Sequence, residues 1–377
     1  MITRYRTVCS LVMATTVLGG CSSGGPKASQ SPPKSKARSS DVPAPDGSKP
    51  IVVSPQIVSQ FESPLAATAL RERALDMLGS MASDPAPQVR ANSMEAMART
   101  PTRLRPYVVA GLRDENVGVR STAAMMVGRA GLCDVGPALR PLLTDPSPYV
   151  RASSIYSLAK CKAEVDRTPL AVILLTDLNP RVRAHVAFLL GELGDPSALG
   201  LIHDAAKAQL PMASSSEYRM MQIQCAEAMV KLGEQDQIAT IRAALYPSRP
   251  EDLEVSALAV QVLGELRDRG SIDELIYLSA RKDESGHQYP AEVRLGVAGA
   301  LARMGLKQGT FIADEYAAST IAPLRAQAAF VYGEIGRPED LARLDILLND
   351  PVGIVRVAAA AAVVKTTSGP ATRASAQ

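Results

Sequence analysis

From residue 51 onward the chain repeats one arrangement of apolar and polar positions. SDPAPQVRANSMEAMAR (83–99), RDENVGVRSTAAMMVGR (113–129), TDPSPYVRASSIYSLAK (144–160), TDLNPRVRAHVAFLLGE (176–192) and NDPVGIVRVAAAAAVVK (349–365) are versions of one segment. Counting from the Val of Val-Arg as position 0, apolar or small residues recur at positions 4, 5, 8 and 11, with Gly often at 9 and 12. That spacing lays one apolar face along an α-helix. The register falls at Val89, Val119, Val150, Val182, Met221, Val255, Val293, Leu324 and Val355, at intervals of 30, 31, 32, 39, 34, 38, 31 and 31 residues. Ahead of these helices lie second apolar segments, as in DVGPALRPLLTD (134–145), LAVILLTD (170–177) and PEDLARLDILLND (338–350). Helices of about ten residues are marginal alone in water, so each pair depends on its neighbours. The pattern predicts an all-α fold, an α-solenoid (superhelix) of about nine helix pairs over residues 51–365.

Five of the copies place an Asp six residues before the Arg: Asp84 and Arg90, Asp114 and Arg120, Asp145 and Arg151, Asp177 and Arg183, Asp350 and Arg356. The pairs span the turn between the two helices. Asp and the residues after it end one helix and cap the next, and the Arg reaches an Asp of its own or the adjacent repeat to form a structural ladder. Exposed ion pairs contribute only about 0 to 1 kcal/mol each, so the ladder is expected to fix repeat spacing. The middle repeats depart from the pattern. Gln222 and Ser256 replace the Arg, Arg294 and Arg325 lack the Asp, and two longer polar connections occur at 210–219 and 281–290.

The composition agrees with an all-α core. Only 4% of the 377 residues are aromatic and there is no Trp, so the core is built from Ala, Leu, Val, Ile and Met. Of the 41 Lys/Arg and 38 Asp/Glu, residues 1–50 hold 7 and 2, which leaves 34 against 36 for the repeats and no basic surface that seeks nucleic acid. The helix pairs with D-x-x-x-x-x-R across their turn resemble HEAT repeats, of the short HEAT-like class found in phycobilisome lyases. The resemblance covers about residues 64–365 and implies the fold. The activity it points to is a lyase-type enzyme or enzyme-accessory protein, which stands as the alternative to a non-catalytic scaffold. The paired His-Glu metal ligands of the HEAT-like deoxyhypusine hydroxylases are missing, since none of His185, His203 and His287 is followed by Glu. No metal and no cofactor is therefore expected. Cys133, Cys161 and Cys225 read as buried structural cysteines, with a reactive thiol or an intermolecular disulfide as the other readings of an odd number.

The N-terminus carries a different signal. MITRYR is basic, TVCSLVMATTVL is mostly apolar and too short to span a bilayer, and LGGC ends at Cys21. This resembles the lipobox of bacterial lipoprotein signal peptides, which implies removal of residues 1–20 and lipid attachment at Cys21. Acyl chains contribute roughly 0.8 kcal/mol per buried methylene, enough in combination to hold the protein on a membrane. Ser22, rather than Asp, implies sorting to the periplasmic face of the outer membrane if the organism is Gram-negative. Residues 21–50 read as the lipidated Cys and a disordered tether, and 366–377 as a flexible tail.

The Val-Arg helices line the concave side in the HEAT resemblance. Positions 3 and 6 of adjacent copies hold Met125, Tyr156, His185 and Phe188, and position 10 holds Arg129, Lys160 and Glu192. Exposed aromatics beside charge form a candidate protein-binding patch. The sequence thus predicts a membrane-anchored, non-catalytic protein-binding scaffold of the cell envelope. Lipidation is tested by Cys21→Ser, which is expected to stop incorporation of labelled fatty acid and sedimentation with membranes. Membrane association unchanged in that variant would remove the anchor.

Overall fold

The computed structural model describes residues 51–368 apart from Val52, Glu62, Met212, 247–251, 283–285 and His287. The readings of the signal peptide, Cys21, Ser22 and the tether lie outside these residues. A short α1 (Pro55–Phe61) precedes nine pairs. They are α2 (Pro64–Met81) with α3 (Pro87–Ala96), α4 (Pro101–Gly111) with α5 (Val117–Arg129), a 3-10 segment Cys133–Thr144 with α6 (Pro148–Lys160), and α7 (Thr168–Thr176) with α8 (Pro180–Leu193). There follow α9 (Leu199–Lys207) with α10 (Ser215–Lys231), α11 (Ile238–Ala243) with α12 (Leu253–Leu266), α13 (Ile272–Ala280) with α14 (Ala291–Arg303), α15 (Thr310–Tyr316) with α16 (Ala322–Ile335), and α17 (Leu341–Leu347) with α18 (Gly353–Thr367). The described residues contain no strand beyond an isolated bridge between Lys282 and Gln288. The helix expected to stop at 365 continues to Thr367, so the start of the proposed tail is helical.

The second helix of each pair carries the Val-Arg register, and these nine helices stack side by side as an inner layer. The first helices form the outer layer. The stack does not end: α18 packs against α2 and α3, and α1 lies on α2 and α17. Across this junction Arg73 pairs with Asp345, and a Cβ on Gly353 would lie 3.2 Å from Val89 Cγ2. The solenoid is a closed ring, with one apolar core running from Leu70 to Val364.

The ladder differs in detail from the expectation. Each Asp side chain accepts from the backbone N–H two residues on, at 2.8–2.9 Å: Asp84 from Ala86, Asp114 from Asn116, Asp145 from Ser147, Asp177 from Asn179 and Asp350 from Val352. The Arg does not pair with its own repeat's carboxylate. It donates to that repeat's carbonyls, as Arg120 does to Asp114 O at 2.9 Å and Glu115 O at 3.0 Å, and then forward to the next repeat's Asp. Arg90 reaches Asp114 at 2.7 Å, Arg120 reaches Asp145 at 3.0 Å and Arg325 reaches Asp350 at 2.7 Å. Arg294, with no Asp ahead of it, reaches Glu315 of the next repeat at 2.5 Å. Among the described residues Arg151 and Arg356 donate only to the carbonyls of their own turns, and Arg183 to Asp177 O at 2.5 Å; none of the three has a carboxylate partner there. In front of Arg183, Ser216 stands at the register position where the next Asp would be.

The cysteine reading also changes. Cys133 and Cys161 form a disulfide, with Cα atoms 5.4 Å apart, while Cys225 is buried and free. Pro137 and Pro141 keep the outer segment of this repeat in a 3-10 form. Its first residue thereby meets the C-cap of α6, and the bond fastens a segment that lacks an α-helical ladder of its own.

These contacts rank the arginines. Arg120→Ala leaves the buried Asp145 without its cation and is expected to lower stability by about 3 kcal/mol. Arg151→Ala removes two charge-assisted bonds to carbonyls and is expected to cost about 1.5 kcal/mol. Denaturant unfolding of both variants checks the order, and a larger loss for Arg151→Ala would contradict the forward ladder.

Candidate protein-binding face of the ring

Neighbouring inner helices approach at one recurrent contact, position 9 of one against position 7 of the next. A Cβ on Gly128 would lie 2.9 Å from Ser157 Cα, on Gly191 2.9 Å from Ala228 Cα, on Gly264 2.7 Å from Ala300 Cα and on Gly333 2.8 Å from Ala362 Cα. Glycine is required there because the facing backbone occupies the space a side chain needs. This contact joins α5 to α6, α8 to α10, α12 to α14 and α16 to α18. The other seams carry Ala98, Ala159, Val230, Ala302 and Val364 at position 9.

Close packing defeats the open groove expected from the sequence. Met125 and Tyr156 are each 1% exposed and His185 is 3% exposed. His185 Nε2 lies 3.0 Å from Ser153 Oγ, its ring is tilted 5.3 Å from that of Tyr149, and burial lowers its pKa to about 4. Burial likewise pushes the Tyr156 hydroxyl up to about 12. Phe188 is half-buried beneath Lys231, whose Nζ sits 5.0 Å from the ring centroid. Met125, Tyr156 and His185 are core residues, and a partner cannot reach them.

The charged residues at position 10 range from exposed Arg99, Arg129 and Lys160 to the nearly buried Glu334 side chain, and their order around the ring is informative. From α8 to α18 they alternate: Glu192, Lys231, Glu265, Arg303, Glu334, Lys365. Carboxylates at helix C-termini are unfavourable against the helix dipole, and these three are held by cations. Lys231 bonds Glu192 at 2.8 Å, Arg303 bonds Glu265 at 3.2 Å and Glu334 at 3.1 Å, and Lys365 pairs with Glu334. Alternation then stops. Ring closure brings Lys365 beside Arg99, and α3, α5 and α6 present Arg99, Arg129 and Lys160 in succession. These last three are exposed and have no ion-pair partner among the described residues. Where three of the close seams carry Glu opposite a cation, the seam of α5 and α6 carries two cations.

Glu95, at position 6 of α3, lies beside this arc. Both carboxylate oxygens are buried without a hydrogen-bond partner, although part of the stem is exposed. Burial raises its pKa to about 8, partly offset by the nearby Arg129. The carboxyl is therefore mostly protonated at pH 7 and offers the arc little counter-charge, while Glu192 lies within electrostatic reach of Arg129 and Lys160. The sequence pattern singled out Arg129 and Lys160 but passed over Arg99 and Glu95. The run of cations at position 10 was the available signal for Arg99, while nothing in the residue pattern marks Glu95 as buried.

His203 Nε2 bonds Glu234 at 2.7 Å, and burial pushes the Cys225 thiol up to about 12. No group of His, Cys, Asp and Glu among the described residues is arranged to hold a metal ion. No helix there is long and apolar enough to cross a membrane.

Residues 75–159 match the family profile of the HEAT repeats. The chain is similar in fold to the complex of CpcE and CpcF of phycocyanin lyase from Nostoc sp. PCC7120, at 18% identity, over 67% of this chain and 88% of that one, with a TM-score of 0.38. Human deoxyhypusine hydroxylase in complex with glycerol is similar at 19% identity, over 81% of this chain and 99% of that one, with a TM-score of 0.34. An engineered protein is similar at 19% identity, over 84% and 99% of the two chains, with a TM-score of 0.30. No curated protein sequence matches the chain.

Glu95 gives the arc a measurable pH signature. Its folded pKa of about 8 lies above the usual carboxylate value, so between about pH 4.5 and 8 the folded state binds more protons than the unfolded state. Stability falls as pH rises through that window. Glu95→Gln is expected to remove this fall and to stabilise the protein at pH 8 by on the order of 1 kcal/mol or more, with little effect at pH 4. Thermal melting of both proteins from pH 4 to 9 checks it.

Proposed function

We propose that this HEAT-repeat ring is a non-catalytic scaffold, held at a membrane of the cell envelope by lipid on Cys21, and that it docks an acidic protein partner on the end of the ring where the inner helices terminate. The observation that carries the reading is the arc of Arg99, Arg129 and Lys160, three exposed cations without an ion-pair partner among the described residues, in a ring whose other position-10 charges alternate in sign. Exposed, unpaired cations can be neutralised by a partner without first breaking an internal ion pair. With inner-helix axes about 8–10 Å apart, the arc extends roughly 20 Å, a span suited to several carboxylates on one protein surface.

The non-catalytic part draws support from the chemistry of the buried nucleophile and base. Cys225 is inaccessible and its thiol stays protonated, and His185 is neutral and enclosed. The Cys133–Cys161 disulfide supports an oxidising compartment such as the periplasm.

The test is affinity capture from solubilised envelope with the mature chain as bait, at two salt concentrations. One stoichiometric acidic protein is expected, released as salt rises. Arg129→Glu with Lys160→Glu is expected to weaken capture at least tenfold at unchanged helix content, and to flatten the salt dependence. Capture indifferent both to salt and to charge reversal would defeat the docking face. A preparation that binds a chromophore stoichiometrically would favour the lyase-type alternative.

A further inference from the structure

Positions 3 and 6 of the inner helices each carry a side chain except in α14, where they are Gly296 and Gly299. The missing side chains leave a cavity of about 30 Å³ between α12, α14 and α16. Gln261, Glu292, Arg303, Gln327 and Phe330 line it with the two glycines. Gly299 cannot be replaced without movement, because a Cβ there would meet Phe330 Cε1 at 3.0 Å.

The polar groups of this cavity are acceptors that lack donors. Gln327 is 6% exposed, and its Oε1 is buried without a partner. Gln261 donates through Nε2 to Glu265 Oε1 at 3.1 Å, leaving its own buried Oε1 without a donor. The half-buried Glu292 makes no ion pair among the described residues. Arg303 is not available to satisfy them. Its guanidinium is held by Glu265 at 3.2 Å and Glu334 at 3.1 Å, and lies 5.1 Å from the Phe330 ring. Two amide oxygens, desolvated and unpaired beside a half-buried carboxylate, cost free energy that a donor-rich cation recovers.

We propose that this cavity binds a primary ammonium group, supplied by a Lys side chain of a bound protein or by a free alkylamine. An ammonium has three N–H donors, one for Gln261 Oε1, one for Gln327 Oε1 and one for Glu292. The volume suits that head group, or about two water molecules, and is far too small for a nucleotide or a tetrapyrrole. Because the probes below contain no acidic protein, the outcome here is separate from that of docking at Arg99, Arg129 and Lys160.

The full mature chain in detergent is titrated with butylammonium chloride, with N-acetyl-lysine amide, and with tetramethylammonium chloride as a cation without N–H donors, followed by saturation-transfer NMR. Both primary amines are expected to bind saturably and to compete, with tetramethylammonium at least tenfold weaker. Glu292→Gln and Gln327→Leu are each expected to weaken the amines about tenfold, or about 1.4 kcal/mol, at unchanged helix content. Gln327 is buried and its variant tests folding as well, so Glu292→Gln, at a half-buried position, serves as the independent variant. Tighter binding of N-acetyl-lysine amide assigns the site to a protein side chain, and tighter binding of butylammonium assigns it to a free amine. Absence of saturable amine binding, equal binding of tetramethylammonium, or affinity unchanged in both variants would overturn the proposal and leave the cavity to water.

Discussion

The forward bond from each inner-helix arginine sets the geometry on which the rest of the ring depends. Arg90, Arg120 and Arg325 grip the carbonyls of their own turn with one nitrogen and the next repeat's Asp with the others. The same Asp caps its own turn through the N–H two residues on. Each rung therefore fixes three things together: the turn, the start of the inner helix and the offset to the following pair. A partly buried, bidentate guanidinium–carboxylate contact has a defined direction as well as strength, so it constrains rotation between repeats in a way apolar packing alone does not. Small, reproducible rotations per repeat are what allow nine pairs to meet their own beginning.

Closure redistributes the chemistry of the inner face. In an open superhelix, positions 3 and 6 would line a groove. In the ring, glycine at position 9 of alternate helices draws neighbours together and buries Met125, Tyr156 and His185. Accessible chemistry is left where the helices end, at position 10, and where a luminal side chain is absent, at Gly296 and Gly299. The two regions differ in character. The arc at Arg99, Arg129 and Lys160 has donors without acceptors, whereas the cavity beside α14 has acceptors without donors.

Much of the architecture was legible in the residues. The period near 31, the apolar positions and the Asp–Arg spacing follow from single-helix geometry and turn chemistry, both of which act within one repeat. Arg294 and Arg325 looked like defects because the Asp ahead of them is missing. They prove to be regular, since the partner carboxylate belongs to the following repeat, as Glu315 and Asp350 show. What the sequence did not disclose are quantities summed over many repeats. Closure depends on the total rotation of nine pairs, and the burial of Tyr156 depends on how near α5 and α6 approach at Gly128. The disulfide was missed for a local reason: Pro137 and Pro141 turn the outer helix into a 3-10 segment, which shifts Cys133 out of helical register and onto Cys161.

The junction that closes the ring differs from the seams it resembles. Arg356, the last inner-helix arginine, holds Asp350 O and Pro351 O but makes no forward pair with Asp84, so the ladder is not carried across. Other contacts replace the rung. Arg73 pairs with Asp345, Gly353 admits Val89 and Met81, and α1 bridges α2 and α17 from outside. The chain enters the ring through α1, so residues 21–50 join the folded body at this junction. The replacement of a single polar rung by a spread of outer-layer contacts distributes the closure over several side chains, and it leaves the arc at Arg99, Arg129 and Lys160 on the inner layer next to the junction.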